Sequence, residues 1–313
     1  MPNKSASMIP LRLRIKRQLQ KNWILYLMNL PVFLYFIVFH YYPMYGATLA
    51  FRDYRVKAGI LGSPWIGFLN FERFFCSSYF ETMLTNTLGI SVYSLLVGFP
   101  ISIIFALQLN YLQSNKLKKT IQMASYAPHF ISTVVIACML TLFTKHETGV
   151  FNSVFRAALG LKSVNWLAVP SWFKSIYVWS GIWQNMGWNA IIYLSALAGV
   201  DPQMHEAAII DGATKLQRIR HIDIPSISST IIMLLILRMG SMMSVGFEKV
   251  FLLQNDLNYK ASVTISTYVY RIGLLDGDYS FSTAVGLFNN VINITLLVSV
   301  NKLSRRVLGE SLF

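Results

Sequence analysis

His205 and Glu206 stand side by side, and an H-E-x-x-H arrangement would put two imidazoles one helical turn apart as zinc ligands. Position 209 is Ile209, so the second ligand is missing and no metal site is predicted. His40 and His129 have no nucleophile motif beside them, and no G-x-x-x-x-G-K loop occurs to cradle a phosphate. Covalent and nucleotide chemistry are therefore not expected of this chain. What remains is polar groups set in apolar surroundings. At 100° per residue, Gln184, Asn185, Trp188 and Asn189 spread over the helix face opposite Trp172, Trp179 and Trp183. Amides beside an aromatic can hydrogen-bond hydroxyls and stack on pyranose faces. They can equally serve as glue between helices, with Trp172 in an interfacial belt. Both readings stay open. Arg238 lies inside an apolar run whose neighbours one turn away, Leu234, Leu235, Ser241 and Met242, include no acid. A charge there costs about 2.5 to 3.5 kcal/mol even on insertion scales, so its partner lies elsewhere: a carbonyl, another subunit, or a carboxylate or hydroxyl of a solute. Ser282, Gly286, Asn289, Asn290 and Asn293 form a small and polar stripe, which either packs on another helix or lines a path.

These groups must be positioned by membrane helices. Of 313 residues, 54% are hydrophobic and only 13% charged, against roughly 25% charged in ordinary globular chains. The net charge of +14 does not indicate nucleic acid, because the basic residues gather at the ends of apolar runs and no basic stripe with interleaved aromatics occurs. Cys76 and Cys138 lie in a polar connection and an apolar run respectively, so a disulfide framework is not expected.

Six apolar runs predict six spanning helices at about residues 23–45, 82–109, 121–143, 172–199, 226–253 and 281–300. A basic arm, residues 1–22, precedes the first, which is expected to be an uncleaved span because no small-residue cleavage site follows it. Pro100 is expected to kink the second. Polar connections 47–80, 145–171 and 254–279 fall on one side. The arm, the Lys116 turn, residues 200–227 and the tail fall on the other and hold about 15 of the 27 Lys and Arg, which places both termini in the cytoplasm. The expected fold class is thus an all-α integral membrane protein, with a transmembrane domain over 23–313.

Residues 200–227 carry four acids, three basic residues, two histidines and a glycine. Asp201 can cap and Pro202 fits a first helical turn; Gly212 allows a tight turn, and a second helix from Thr214 is expected to end at Pro225. The order Glu206-Ala207-Ala208, Asp211-Gly212-Ala213, then Ile222-Asp223-Ile224-Pro225 resembles the EAA signature of the permeases of type I ABC importers. Ile219 stands where an aromatic is common, and Ile224-Pro225 replaces Leu-Pro. The resemblance implies a cytoplasmic coupling loop, 200–225, inserted into a separate ATPase through Glu206, Ala207, Ala208, Asp211, Gly212, Ala213, Arg218 and Pro225. Small side chains there let a partner approach closely, and Asp211 and Arg218 could anchor the rim.

Segments 246–253, 266–271 and 281–289 look like the branch that imports complex oligosaccharides, including uronic-acid-containing ones. Membership of that branch implies one permease subunit of a carbohydrate importer in a bacterial cytoplasmic membrane. Its partners would be a second homologous permease, cytoplasmic ATP-binding subunits that hold ATP and Mg, an extracellular solute-binding protein, the oligosaccharide and membrane lipid, with no cofactor in this chain. The candidate path residues are then Gln184, Asn185, Trp188, Asn189, Arg238, Asn289 and Asn293. The rival reading, an ion-coupled secondary sugar transporter, needs ion-coordinating or proton-relaying groups at the midplane, and Arg238 has no paired acid.

Overall fold

A computed structural model describes residues 20–160 and 162–308, so most of the basic arm, 1–22, lies outside the described residues. Among those described the fold is all helical, with one isolated antiparallel bridge between Arg52 and Trp65. Three helices are long and apolar enough to cross a membrane: α1 (Trp23–Phe51), α2 (Phe80–Asn110) and the last helix over Tyr279–Arg306. Between them lie α3 (Asn115–Phe130) and α4 (Thr133–Phe143), α5 (Pro170–Leu197), α6 (Pro202–Ile210), α7 (Lys215–Ser226), α8 (Ser228–Gly240) and α9 (Phe247–Leu253). The last, α10, runs Tyr279–Leu308 and so extends beyond the expected 281–300. At 28 residues α5 is about 42 Å long.

Prolines explain a recurring irregularity. Of four wide turns among the described residues, three, Ile37–Tyr41, Ser94–Gly98 and Ile219–Asp223, each end two residues before a proline, Pro43, Pro100 and Pro225, and the fourth, Arg271–Leu275, has no proline after it. A proline has no N–H to donate and its ring clashes with the carbonyl four residues back; widening the turn moves that carbonyl aside. Pro100 therefore sits within a single helical run of 31 residues. Pro225 does not end its helix as expected, because α7 passes through it to Ser226.

Two expected spans are broken. The run 121–143 divides after Ala127–Phe130, a tight turn holding Pro128, and α3 and α4 meet at 98°. Ile131 and Ser132 are extended, and the Ser132 hydroxyl accepts from Val135 N at 3.3 Å to start α4. The run 226–253 bends by 64° at Ile227 and stops at Gly240; residues 241–246 are not helical before α9 begins. Side chains from other helices complete that break. Asn293 Oδ1 accepts from Met243 N at 2.9 Å and its Nδ2 donates to Ser244 Oγ at 3.1 Å. Ser91 Oγ donates to Met242 O, and Ser266 Oγ to Val245 O at 3.3 Å. Replacing Asn293 with leucine strands the buried Met243 N–H, at a cost of about 1 to 3 kcal/mol. Thermal unfolding of the detergent-solubilised chain should show the loss.

Apolar packing fixes the layout. Ile90, Phe173, Val250 and Leu253 share one cluster, and Ala106, Ala190, Leu197 and Ile227 another, so α2 and α5 run parallel and end together. A third cluster gathers Phe74, Met83, Met243, Tyr268 and Phe281. The connection 254–279 supplies part of it: Ile265–Tyr270 is helical and largely buried, and Asn86 Nδ2 donates to Lys260 O at 2.9 Å and Val263 O at 3.1 Å. Gly187 marks the closest approach of α5 to α3. A Cβ there would stand 2.8 Å from Ser125 Cβ and closer still to its carbonyl.

Candidate functional site

The break at 241–246 opens onto a cavity of about 250 Å³ between α2, α5, α8 and α9. Non-helical backbone at membrane depth is tolerated where it lines such a cavity. Gln184, Asn185 and Asn189 reach it from α5, Ser91, Ser94 and Ser102 from α2, and Ser241 and Ser244 from the break itself. Arg238, in the last turn of α8, and Lys249, in α9, also face it, and among the described residues no carboxylate does.

The two cations differ. Lys249 is largely buried; its Nζ lies 5.2 Å from the Tyr177 ring centroid and donates to Tyr177 O at 3.4 Å. The Arg238 side chain is exposed and faces the cavity, and its guanidinium makes no hydrogen bond or ion pair within the described residues. Lys249 was missed by sequence reasoning. It follows Arg238 by eleven residues, about three helical turns, a spacing that could have flagged it.

The amides serve two purposes. Gln184 Nε2 donates to Ile131 O at 3.2 Å and Asn185 Oδ1 lies 2.9 Å from His129 Nδ1, so both brace the α3–α4 break while lining the cavity. Trp188 lies outside the lining and stacks on His129 with centroids 4.4 Å apart. Asn293 holds the 241–246 break and Asn289, whose buried Oδ1 has no hydrogen-bond partner among the described residues, stands away from the cavity lining. Trp172, Trp179 and Trp183 line a separate apolar groove with Trp166 and α4.

At the common end of α2 and α5, residues 201–226 form a projecting knob. Asp201 Oδ1 accepts from Gln203 N at 2.9 Å and Pro202 opens α6. Gly212 turns the chain at φ +77° and Ala213 N donates to Ala208 O at 2.8 Å. Thr214 and Gln217 make a reciprocal cap that starts α7. Glu206, Ala207, Asp211, Gly212 and Pro225 are exposed, with Ala208 and Ala213 half-buried. Met204, Ile209, Ile210 and Leu216, which the motif did not single out, project as well, with Ile210 85% and Leu216 75% exposed. Arg218 is instead turned inward, its guanidinium 5.5 Å from the Tyr111 ring centroid.

Beneath the knob Asp223 is fully buried. Tyr111 donates its hydroxyl to Asp223 Oδ2 at 2.6 Å, and His205 Nε2 stands 3.3 Å from Oδ1, an ion pair when the imidazole is protonated. Burial, then the hydrogen bond to Asp223, push the Tyr111 hydroxyl well above its usual pKa, so it remains a donor.

Residues 98–309 match the family model described as binding-protein-dependent transport system inner membrane component. The chain belongs to this family. Two relatives of this inner membrane component come from Bacillus subtilis (strain 168). Protein LplB is 41% identical over 295 residues, 94% of this chain and 92% of that protein. The polygalacturonan/rhamnogalacturonan transport system permease protein YteP is 40% identical over 302 residues, 96% and 93%. Among solved structures, a subunit of a bacterial ABC transporter that imports the acidic polysaccharide alginate superposes with TM-score 0.88 at 39% identity, covering 94% of this chain and 99% of that one. In a complex of such a transporter with its alginate pentasaccharide-bound periplasmic protein, the values are 0.89 and 38%, covering 96% and 100%. The inner membrane component thus has the type I ABC importer permease fold and is a transporter subunit, not an enzyme. The family match spans both the cavity helices from α5 onward and the knob; the relatives and structures extend it over α1 and the 47–80 connection.

Proposed function

We propose that this inner membrane component is one of two permeases in an ATP-driven importer of oligosaccharides, and that its cargo carries uronic acids. One observation carries the cargo reading: Arg238 and Lys249 face a single cavity, at a helix break, with no carboxylate beside them among the described residues. Cations in such a site cost free energy unless an anion meets them, and a uronate carboxylate supplies one, with Gln184, Asn185, Asn189 and the serines meeting hydroxyls. The alginate and polygalacturonan systems among its relatives support the same class. An ion-coupled carrier finds less support, since the cavity offers no acid to relay protons or coordinate a cation.

In this reading α1, α2, the α3–α4 pair, α5, the α8–α9 run and α10 are six crossings of a bacterial cytoplasmic membrane, with both termini inside. The knob then lies in the cytoplasm and inserts into an ATP-binding subunit that holds ATP and Mg. A solute-binding protein delivers cargo to the 47–80, 145–171 and 254–279 connections, and the second permease completes the path. The test is reconstitution of the assembled complex, with uptake and binding-protein-stimulated ATPase measured together. Gly212→Val forces a branched residue to φ +77°, costing about 1 to 2 kcal/mol, and Glu206→Ala removes a knob charge. Each should uncouple hydrolysis from uptake; normal coupling in both sinks the assignment.

A further inference from the structure

Of the knob's two helices, α7 packs on the bundle through Ile219 and buried Ile222, and α6 has little to hold it. Helix α6 buries none of its residues, so apolar packing does not fasten it to the bundle. Among the described residues its side-chain link of charge character starts at His205, whose Nε2 stands 3.3 Å from an Asp223 Oδ1 that has no hydrogen-bond partner there, and runs through fully buried Asp223 on α7 to Tyr111, the residue that follows α2. His205 and Tyr111 rings also meet edge to face, with centroids 6.4 Å apart. Arg218 covers the other side of Tyr111, its buried Nε without a partner in the described residues. A carboxylate with no exposure needs polar groups to meet it, and Asp223 has the Tyr111 hydroxyl on one oxygen and His205 beside the other. Helix α2 in turn carries Ser91, Ser94 and Ser102 into the cavity.

We infer that His205, Asp223 and Tyr111 form a positioning clasp that makes α2, and with it one wall of the cavity, move with the knob. This rests on the knob being the point where the ATPase acts. The clasp residues touch neither cargo nor nucleotide; they transmit displacement. Spatial adjacency alone does not establish transmission, so the deciding quantity is the coupling ratio, cargo imported per ATP hydrolysed.

The experiment uses the complete complex in proteoliposomes with its binding protein. Tyr111→Phe removes only the hydroxyl, and His205→Gln removes the imidazole while keeping a polar group. Each should lower the coupling ratio about 10-fold, within the range of measured couplings between sites, with stimulated ATPase within about twofold of the parent. The double variant should fall no further than the worse single one, because both act through Asp223. An unchanged ratio, or uptake and hydrolysis falling in parallel, overturns the clasp. Should one variant fail to assemble, the other decides. Gly212→Val separates the two levels: if it uncouples while Tyr111→Phe and His205→Gln do not, the clasp fails and the knob assignment stands. If none of the three uncouples, and Glu206→Ala does not either, both fall.

Discussion

Replacing Arg238 with methionine should reduce uptake of a uronate oligosaccharide by about 10- to 100-fold, since a hydrogen bond to a charged group contributes about 1.5 to 3 kcal/mol. A neutral oligosaccharide of the same length should lose much less. The asymmetry follows from the cavity, where the Arg238 guanidinium has no partner among the described residues and the Lys249 ammonium is engaged by Tyr177. Methionine keeps much of the length and removes the charge, so packing along the α8 turn survives. Lys249→Met should act in the same direction with a smaller change, because its ammonium is already engaged by the Tyr177 ring and carbonyl. Removing an uncompensated cation from the span should also leave the apo chain no less stable to heat. Uptake by the reconstituted complex, with both cargoes at saturating binding protein, provides the comparison. Equal losses for acidic and neutral cargo would make Arg238 a structural residue.

Gly187→Leu should abolish recovery of folded protein, the largest stability effect expected from a single position. The Ser125 backbone lies where the new Cβ would go, and backbone cannot rotate aside as a side chain can. Even Gly187→Ala should cost about 1 to 3 kcal/mol by overpacking. Forcing α3 from α5 would also pull His129 from Trp188 and Asn185, and Ile131 from Gln184. The consequence therefore reaches the α3–α4 break as well as the local contact. Recovery of monodisperse protein and its melting temperature in detergent measure both variants; wild-type recovery for the leucine variant would show that α3 can move without loss.

Much of the knob was legible because its determinants are local. Asp201-Pro202 starts a helix, Gly212 adopts a conformation that suits glycine, and the Thr214 to Gln217 spacing makes a cap, all within a few residues. The long helices α2, α5 and α10 were legible for the same reason, as apolar runs of sufficient length. The spans at 121–143 and 226–253 were misread as continuous because composition records apolarity and not whether each backbone group finds its helical partner. Pro128 gave a signal for the first. For the second, neither Gly240 nor Gly246 demanded a break, and the groups that make one affordable are remote: Ser91 is 151 positions from Met242 and Asn293 is 50 from Met243. Pro225 shows the reverse error, a helix-ending residue absorbed by a wide turn.

The sequence by itself determined that this chain belongs in a membrane, how much of it is long helix, and where a charged knob interrupts the apolar runs. Those properties depend on composition and on neighbours one or two turns away. Only the tertiary structure decided that Arg238 and Lys249 share a cavity, that Trp188 and Asn293 are spent on holding helices in place, and that Asp223 joins the knob to α2. Each depends on which distant residue satisfies a buried polar group, and in a chain with this much apolar surface many partners would serve equally until packing selects one.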